Sequence, residues 1–438
     1  MNKTFPHWAF ALQLFVSACP LGCVDDHSPT TPAEQNLDAD PSVLDAQREA
    51  PPTDTSETAR RDFGAIDSTP PDSSPIDGRD PQSEEDQVVY GRVDIVDGRS
   101  DLLDLVVPTD TLSLTLVAAG DESVMYTVEH LEDANGRVIV SERPEGVEIT
   151  DDHRRLTPFP GPFLSPNRSA SASTAVGTLL APNNPDIRVP PGTWRFGLGA
   201  LGEQGRVTTT ASVTAIIKRA GTPQVTGALT VHFFFTGARG WTAGTAENNP
   251  EFQEAFGRMR RVYEAVGVRL DDPTYDDIPE RFRLVDAGPQ EPGPNESTLH
   301  QMFRLNDYDS GVALFFVDRI GTGQNGGFIA GISGGTPGPA LQGSSVRGGI
   351  AISTEMLPDP ASIGHVMGHE TGHFLGLFHT QELSGGISDQ IQDTEDGPGG
   401  NDNLMFPTVT SDLAHLTDEQ AWVLHRSILV TPLEEARP

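Results

Sequence analysis

His369-Glu370-Thr371-Gly372-His373-Phe374-Leu375-Gly376-Leu377-Phe378-His379 reads as the end of a helix, a bend and a return of the chain. His369 and His373 are four residues apart, so on a helix both imidazoles leave one face about one turn apart and can reach a single Zn²⁺. Glu370 lies beside the first ligand but off the metal, where it can hold the proton of a zinc-bound water. Gly376 permits a sharp change of direction, and His379 then returns from outside the helix as the third ligand. Three neutral imidazoles leave the fourth coordination position open, the mark of a catalytic rather than a structural centre. With this composition the pattern arises by chance roughly 5 times in 100,000, so incidental histidines on an amphipathic helix explain it poorly. Phe374, Leu375 and Leu377 are assigned to core packing. His365 is four residues before His369, but their pair encloses Val366 where a base is needed, which favours a supporting or solvent-facing role over ligation.

Around this helix, residues 221–438 read as a mixed α/β domain. Val231 to Phe235 is an apolar strand, and a helix starts near Asn249-Pro250, with Phe252, Ala255, Phe256, Met259, Val262, Tyr263 and Val266 on its buried face. Asn249 suits its cap, Pro250 its first position and Gly267 the residue past its end. Further strands are expected at Phe282 to Val285, Val312 to Val317, Gly327 to Ile332 and Gly349 to Ser353, and the decisive helix from about Ser362. Thr417 and Gln420 form a capping box for a last helix burying Trp422, Ile428 and Leu429, a structural layer that also takes His415 and His425. Between the third histidine and Met405, the residues Asp389, Asp393, Glu395, Asp396 and Asp402 make an acidic loop. Oxygen at that density suits Ca²⁺, with a solvated loop as the equal alternative because no EF-hand spacing is present.

Residues 88–220 change to period two. Leu112, Leu114 and Leu116 alternate with Thr111, Ser113 and Thr115, and the same rhythm recurs at Trp194 to Leu198 and Val207 to Ile217. Such strands bury one face, and their turn spacing predicts an antiparallel β-sandwich or jelly roll without helical interruption. His130, His153, Asp151 and Asp152 are placed in solvated loops. Residues 24–87 hold 17 acidic and 4 basic side chains with nine prolines, a composition that cannot bury enough apolar surface to fold and reads as a disordered, charge-extended linker. Residues 1–23 read as a signal peptide: Lys3, a short apolar run from Trp8 to Val16, then small residues. Val16-Ser17-Ala18-Cys19 resembles a bacterial lipobox, which makes Cys19 the acylated residue, Cys23 a weaker choice and an ordinary secretory signal the alternative. The expectation is an exported lipoprotein of the cell envelope, periplasmic or surface-exposed, or a secreted protein if the lipobox is unused.

The formal net charge of −34 repels phosphate backbones and anionic headgroups, which argues against nucleic acid and leaves the lipid anchor as the expected membrane contact. Cys19 and Cys23 are the only cysteines, so a folded-body metal site must use His and carboxylates.

The eleven-residue segment resembles the HExxHxxGxxH signature of the metzincin zinc peptidases. That family also has a methionine-containing turn beneath the metal, which Asn403-Leu404-Met405-Phe406-Pro407 fits, with Met405 as the apolar floor. His379-Thr380, the stretch from Asp389 to Thr394 and the Gly327 to Gly331 strand are similar to the pappalysin and cytophagalysin branch. The resemblance covers roughly residues 225–432. It implies a zinc endopeptidase acting on protein or peptide, and calcium in the acidic loop; a monomer is expected, and Gly327 to Ile332, whose glycines allow close backbone approach, is the candidate edge to align an extended substrate, with simple loop flexibility as the alternative. The module departs from that branch in having no cysteine near the third ligand and no tyrosine after the methionine, with Pro407 two residues past Met405. The alternative is an inactive surface binding or adhesion lipoprotein on a peptidase fold; inactive relatives usually lose the glutamate or a ligand, and all four residues are present here.

Overall fold

Ten strands open the described chain: β1 (Glu85–Val96), β2 (Arg99–Ser100), β3 (Leu103–Val107), β4 (Thr111–Gly120), β5 (Met125–Glu132), β6 (Val138–Val140), β7 (Val176–Ala181), β8 (Gly192–Gly202), β9 (Gly205–Arg206) and β10 (Thr209–Arg219). The structure is a computed structural model and describes residues 85–170, 174–219, 225–287, 297–322, 328–340, 344–357, 359–382, 387–395, 400–409 and 414–433. The expected signal, Cys19 and the acidic linker before residue 85 lie outside these residues.

Every pairing in this first module is antiparallel, in the order β6-β5-β8-β2-β1-β10-β4-β7, with β3 and β9 also on β8. The hydrogen bonding therefore runs through one curled sheet, whereas the sequence suggests two stacked ones. Curling brings β7 round to β5, where Met125 and Thr174 form an antiparallel bridge and Gly177 packs on the Tyr126 backbone. Two short helices, α1 (Asp151–Leu156) and α2 (Pro160–Phe163), stand where unbroken strand and loop are expected. Thr150 caps α1, its hydroxyl accepting from the His153 amide at 3.3 Å while His153 Nδ1 accepts from the Thr150 amide. His153, Asp151 and Asp152 thus belong to a capped surface helix.

The period-two pattern is present, but in β4 both faces are buried. Leu114, Leu116 and Ala118 point into the core of the curled sheet with Trp194 and Phe196. Val117 on the other face joins Val176, Leu180 and Ile216 in the core of the C-terminal body, and the Ser113 hydroxyl donates to the Arg426 carbonyl at 2.6 Å. The Thr and Ser face expected in water is covered here because it lies on the rest of the protein.

The C-terminal body alternates strand and helix: β11 (Gly227–Phe235), α3 (Ala243–Ala246), α4 (Pro250–Ala265), β12 (Val268–Asp277), β13 (Leu284–Asp286), α5 (Thr298–Phe303), β14 (Val312–Val317), β15 (Arg319–Gly321), β16 (Phe328–Ile329), β17 (Gly331–Ser333), β18 (Ile350–Ser353), α6 (Pro360–Leu375), α7 (Asp418–Leu424) and β19 (Thr431–Pro432). Its main sheet has the order β12-β11-β14-β18-β17. The first four strands are parallel and β17 is antiparallel to β18 at the edge. Because side chains alternate along a strand, Phe233 and Phe235 of β11 face the α4 and α6 side with Phe252 and Phe256. Phe234 faces the opposite layer with Phe303 and Phe315. The caps of α4 are as the sequence suggests: the Asn249 side chain accepts from the Phe252 amide at 3.1 Å, and Gly267 takes φ 78°. α6 lies against α4 at a small-residue contact, since a Cβ on Gly364 would stand 2.3 Å from the Ala255 carbonyl oxygen.

Two expectations change. Gly327 to Ile332 is not one strand: Phe328–Ile329 pairs with β15 in a small three-stranded sheet, and Gly331–Ser333 crosses to the main sheet. β12 occupies a stretch the sequence leaves without a strand. Its polar run Asp271 to Asp277 is tolerated because β12 ends the order of the main sheet, where Asp271, Thr274 and Asp276 are only partly buried and Asp277 is exposed.

Candidate metal centre

Asp359 caps α6, its side chain accepting from the Ser362 amide at 2.8 Å, with Pro360 in the first turn. The helix stops at Gly376, where φ is 111°, a backbone state that strains any residue with a Cβ. Two backbone bonds close the end: the Gly376 amide donates to the His373 carbonyl and the Leu377 amide to the Gly372 carbonyl, both at 2.9 Å. The Leu377 carbonyl is thereby turned back to accept from His373 Nδ1 at 2.7 Å. The bend that redirects the chain toward His379 also fixes the second imidazole.

The other two rings are held by different acceptors. His369 Nδ1 donates to the Leu404 carbonyl at 2.7 Å, and His379 Nδ1 donates to Glu382 Oε2 at 3.1 Å. Carbonyls and an ionised carboxylate only accept, so all three rings carry a proton on Nδ1 and leave Nε2 as the atom available to a metal. His373 Nε2 and His379 Nε2 stand 3.2 Å apart, and one ring nitrogen from each of the three residues lies within 4.8 Å of the others. Converging lone pairs repel one another unless a cation lies among them. Moreover, 3.2 Å is close to the roughly 3.3 Å between two imidazole nitrogens about 2.05 Å from one tetrahedral ion. His369, His373 and His379 therefore fit a metal ion, and they are the only His, Cys, Asp or Glu group so arranged among the described residues.

Burial sets the charge states. His373 is pushed down to about 3, by desolvation first and then by His379. His369 is held well below its ordinary value for the same reasons. Both are neutral, as ligands must be. Glu370 is fully buried, and neither of its oxygens makes a well-formed hydrogen bond among the described residues. Desolvation, only partly offset by the Ser333 backbone, pushes its carboxyl up to about 8. A carboxyl in that range can both take and release a proton near neutrality.

β17 runs against this carboxylate: a Cβ on Gly331 would stand 2.7 Å from Glu370 Oε1 and 2.6 Å from Val366 Cγ1. Met405 is fully buried under α6, where a Cβ on Gly372 would meet its sulfur at 2.5 Å. Its amide donates to Asn403 Oδ1 at 2.8 Å and its carbonyl accepts from the Thr380 amide at 3.1 Å, so the turn is tied to the segment that carries His379. Asn403 and Gln420 exchange side-chain amide bonds at 2.9 and 3.1 Å, which anchors the turn to α7.

The remaining candidates stand apart from the cluster. His365 is buried with neither ring nitrogen partnered among the described residues, and burial plus Arg258 push it down to about 4. Its ring centroid is 6.4 Å from that of His369. Asp389 Oδ1 accepts from the Ile391 amide at 3.2 Å and the Thr394 hydroxyl at 2.7 Å, and Asp393 Oδ2 accepts from the Glu419 amide at 3.0 Å. They do not gather into a ligand group among the described residues. Asp396 lies outside the described residues.

Glu382 and, behind it, Arg168 escape the sequence reading. Glu382 follows His379 in irregular chain with no periodicity to mark it, and Arg168 belongs to the first module.

No protein-family model matches the chain, and no curated protein matches it. Among solved structures, metalloproteinase-II from Bacteroides fragilis is similar at 12% identity and a TM-score of 0.28, over 48% of this chain and 55% of that one. The YXIM protein of Bacillus subtilis is similar at 10% identity and a TM-score of 0.17, over 53% and 55%. A family two carbohydrate esterase from Clostridium thermocellum is similar at 9% identity and a TM-score of 0.14, over 53% and 65%. The chain thus spans between 55% and 65% of the length of these structures. Likenesses this slight carry no conclusion, and the site rests on its own geometry.

Proposed function

We propose that the protein is a zinc-dependent endopeptidase of metzincin type, closest to the pappalysin and cytophagalysin branch. The observation that carries the reading is the convergence of the His369, His373 and His379 ring nitrogens beside the fully buried Glu370 carboxyl, neither of whose oxygens makes a well-formed hydrogen bond among the described residues. His369, His373 and His379 would hold the ion. Zinc bound there supplies a Lewis acid that polarises a peptide carbonyl and makes water acidic enough to attack it near pH 7. Glu370 takes the proton of the attacking water on a carboxylate oxygen and returns it to the departing amine. Met405 and Gly372 keep the underside of the ligand helix dry and apolar. β17 lies at the end of the main sheet's strand order beside Glu370, the place for an extended peptide to pair by its main chain. In the same proposal the chain is exported and anchored through Cys19, and the loop of Asp389, Asp393 and Asp396 takes calcium; both parts rest on the sequence.

The test is hydrolysis of an unfolded protein substrate by the purified protein, with metal content measured in parallel. Stoichiometric zinc, loss of activity on chelation and its return with zinc are expected. Glu370→Ala should retain zinc and lose activity by about 1,000-fold. Full activity in that variant would overturn the mechanism, and a protein that takes up no zinc would overturn the site.

A further inference from the structure

His369 and His373 are oriented by backbone carbonyls, which the fold itself fixes. His379 is oriented by a side chain, Glu382, whose carboxylate has rotamer freedom unless something holds it. What holds it comes from the β-module. Arg168 Nη1 lies 3.6 Å from Glu382 Oε1, while Glu382 Oε2 accepts from His379 Nδ1 at 3.1 Å. The guanidinium is itself immobilised: Arg168 is 1% exposed. Its Nε donates to the Phe163 carbonyl and its Nη2 to the Ser388 carbonyl, each at 3.0 Å. The plane sits 4.2 Å from the Phe163 ring centre and 4.9 Å from that of Phe378, the residue just before the third ligand.

We propose that Glu382 and Arg168 are positioning residues of the metal centre, the carboxylate orienting the third ligand and the guanidinium, donated by the β-module, orienting the carboxylate. This rests on the zinc-peptidase reading above. A buried guanidinium is costly unless paired, and here its pair is the group that sets the tautomer and direction of His379. Partners one step behind a ligand are worth about 10–100-fold in metal affinity. The β-module is then part of the metal site rather than an accessory beside it.

The test uses the full chain. Zinc affinity is measured by chelator competition for the wild type, Glu382→Gln, Arg168→Met and the double variant, and the visible spectrum of each is recorded after cobalt substitution. Glu382→Gln is expected to weaken zinc binding by about 10–100-fold. Arg168→Met should weaken it in the same direction and shift the cobalt bands. The double variant should bind no more weakly than Glu382→Gln alone, since Arg168 acts through the carboxylate. Should Arg168→Met fail to fold, Arg168→Lys, which keeps the charge but not the fork, takes its place and should fall between the wild type and Glu382→Gln. Wild-type affinity and spectra in folded single variants, or losses that simply add in the double variant, would overturn the proposal in favour of a purely architectural ion pair. A wild type that binds no zinc would instead sink the zinc reading, and this inference with it.

Discussion

The ammonium of Lys218, buried at the end of β10, donates to the carbonyl of Val430 at 2.6 Å, behind α7. It also reaches the carbonyls of His425 and Ser427, at 2.7 and 2.9 Å. One buried cation thus meets three acceptors in the chain that follows α7, of which the Ser427 carbonyl also accepts from the Val430 amide at 3.2 Å. Lys218→Met should cost about 3 kcal/mol, because the His425 and Val430 carbonyls lose a buried charged donor. Urea unfolding followed by tryptophan fluorescence measures it. A loss below about 0.5 kcal/mol would show that water replaces the ammonium.

Gly376→Ala joins two penalties, a left-handed backbone and a Cβ 2.7 Å from Leu180 Cδ2 of β7. The strained backbone alone costs about 1–2 kcal/mol. The larger effect is expected on the site, since the bend carries both the Leu377 carbonyl and His379. Metal content after gel filtration should fall below one zinc per chain, and a full complement would mean that the helix end relaxes without moving its ligands.

Gly331→Ala separates binding from turnover. The three nearest atoms its Cβ would meet all belong to Val366 and Glu370, none to a histidine. Zinc content should stay at the wild-type level while kcat drops by at least about tenfold, the size expected when a general base is misplaced. Equal loss of zinc and activity would place the disturbance in the ligand helix instead.

Acid should weaken the fold through His300. Burial first, then Arg347 and Arg304, hold its pKa down at about 3, against about 6.5 in the unfolded chain. The unfolded state therefore binds the extra proton first as pH falls. The stability this ring contributes is complete above pH 6.5 and is lost progressively toward pH 3, at up to about 1.4 kcal/mol per pH unit. The measurement is the urea midpoint at pH 7.5, 6.0 and 5.0 for the wild type and His300→Leu, and the variant should show the shallower decline. Parallel declines would mean that other groups dominate.

Legibility in the sequence followed the range of the forces. α4, Val312–Val317 and the ligand helix were readable because cap chemistry and apolar spacing act within a few residues. The three histidines and Glu370 were readable for the same reason: their geometry follows from one helix and one glycine bend. β12 was not, because Asp271 to Asp277 gain their strand state from pairing with β11 across the intervening α4, not from their own composition. The split of residues 328–333 between two sheets depends on which neighbours happen to lie alongside. The both-sided burial of β4 depends on a body more than a hundred residues later in the chain. Glu382 and Arg168 are the extreme case, a pairing that no local pattern encodes.

The burial of Arg168 between Phe163 and Phe378 bears on how this protein can be cut and recombined. A fragment starting at residue 221 would keep the whole histidine motif and still expose the Phe378 ring, strip Glu382 of its counter-charge and leave the carbonyls after α7 without Lys218. The motif would survive transplantation where the chemistry would not. Chimeras that exchange the half carrying the histidine motif should therefore be joined upstream of β1, carrying residues 85–219 with it.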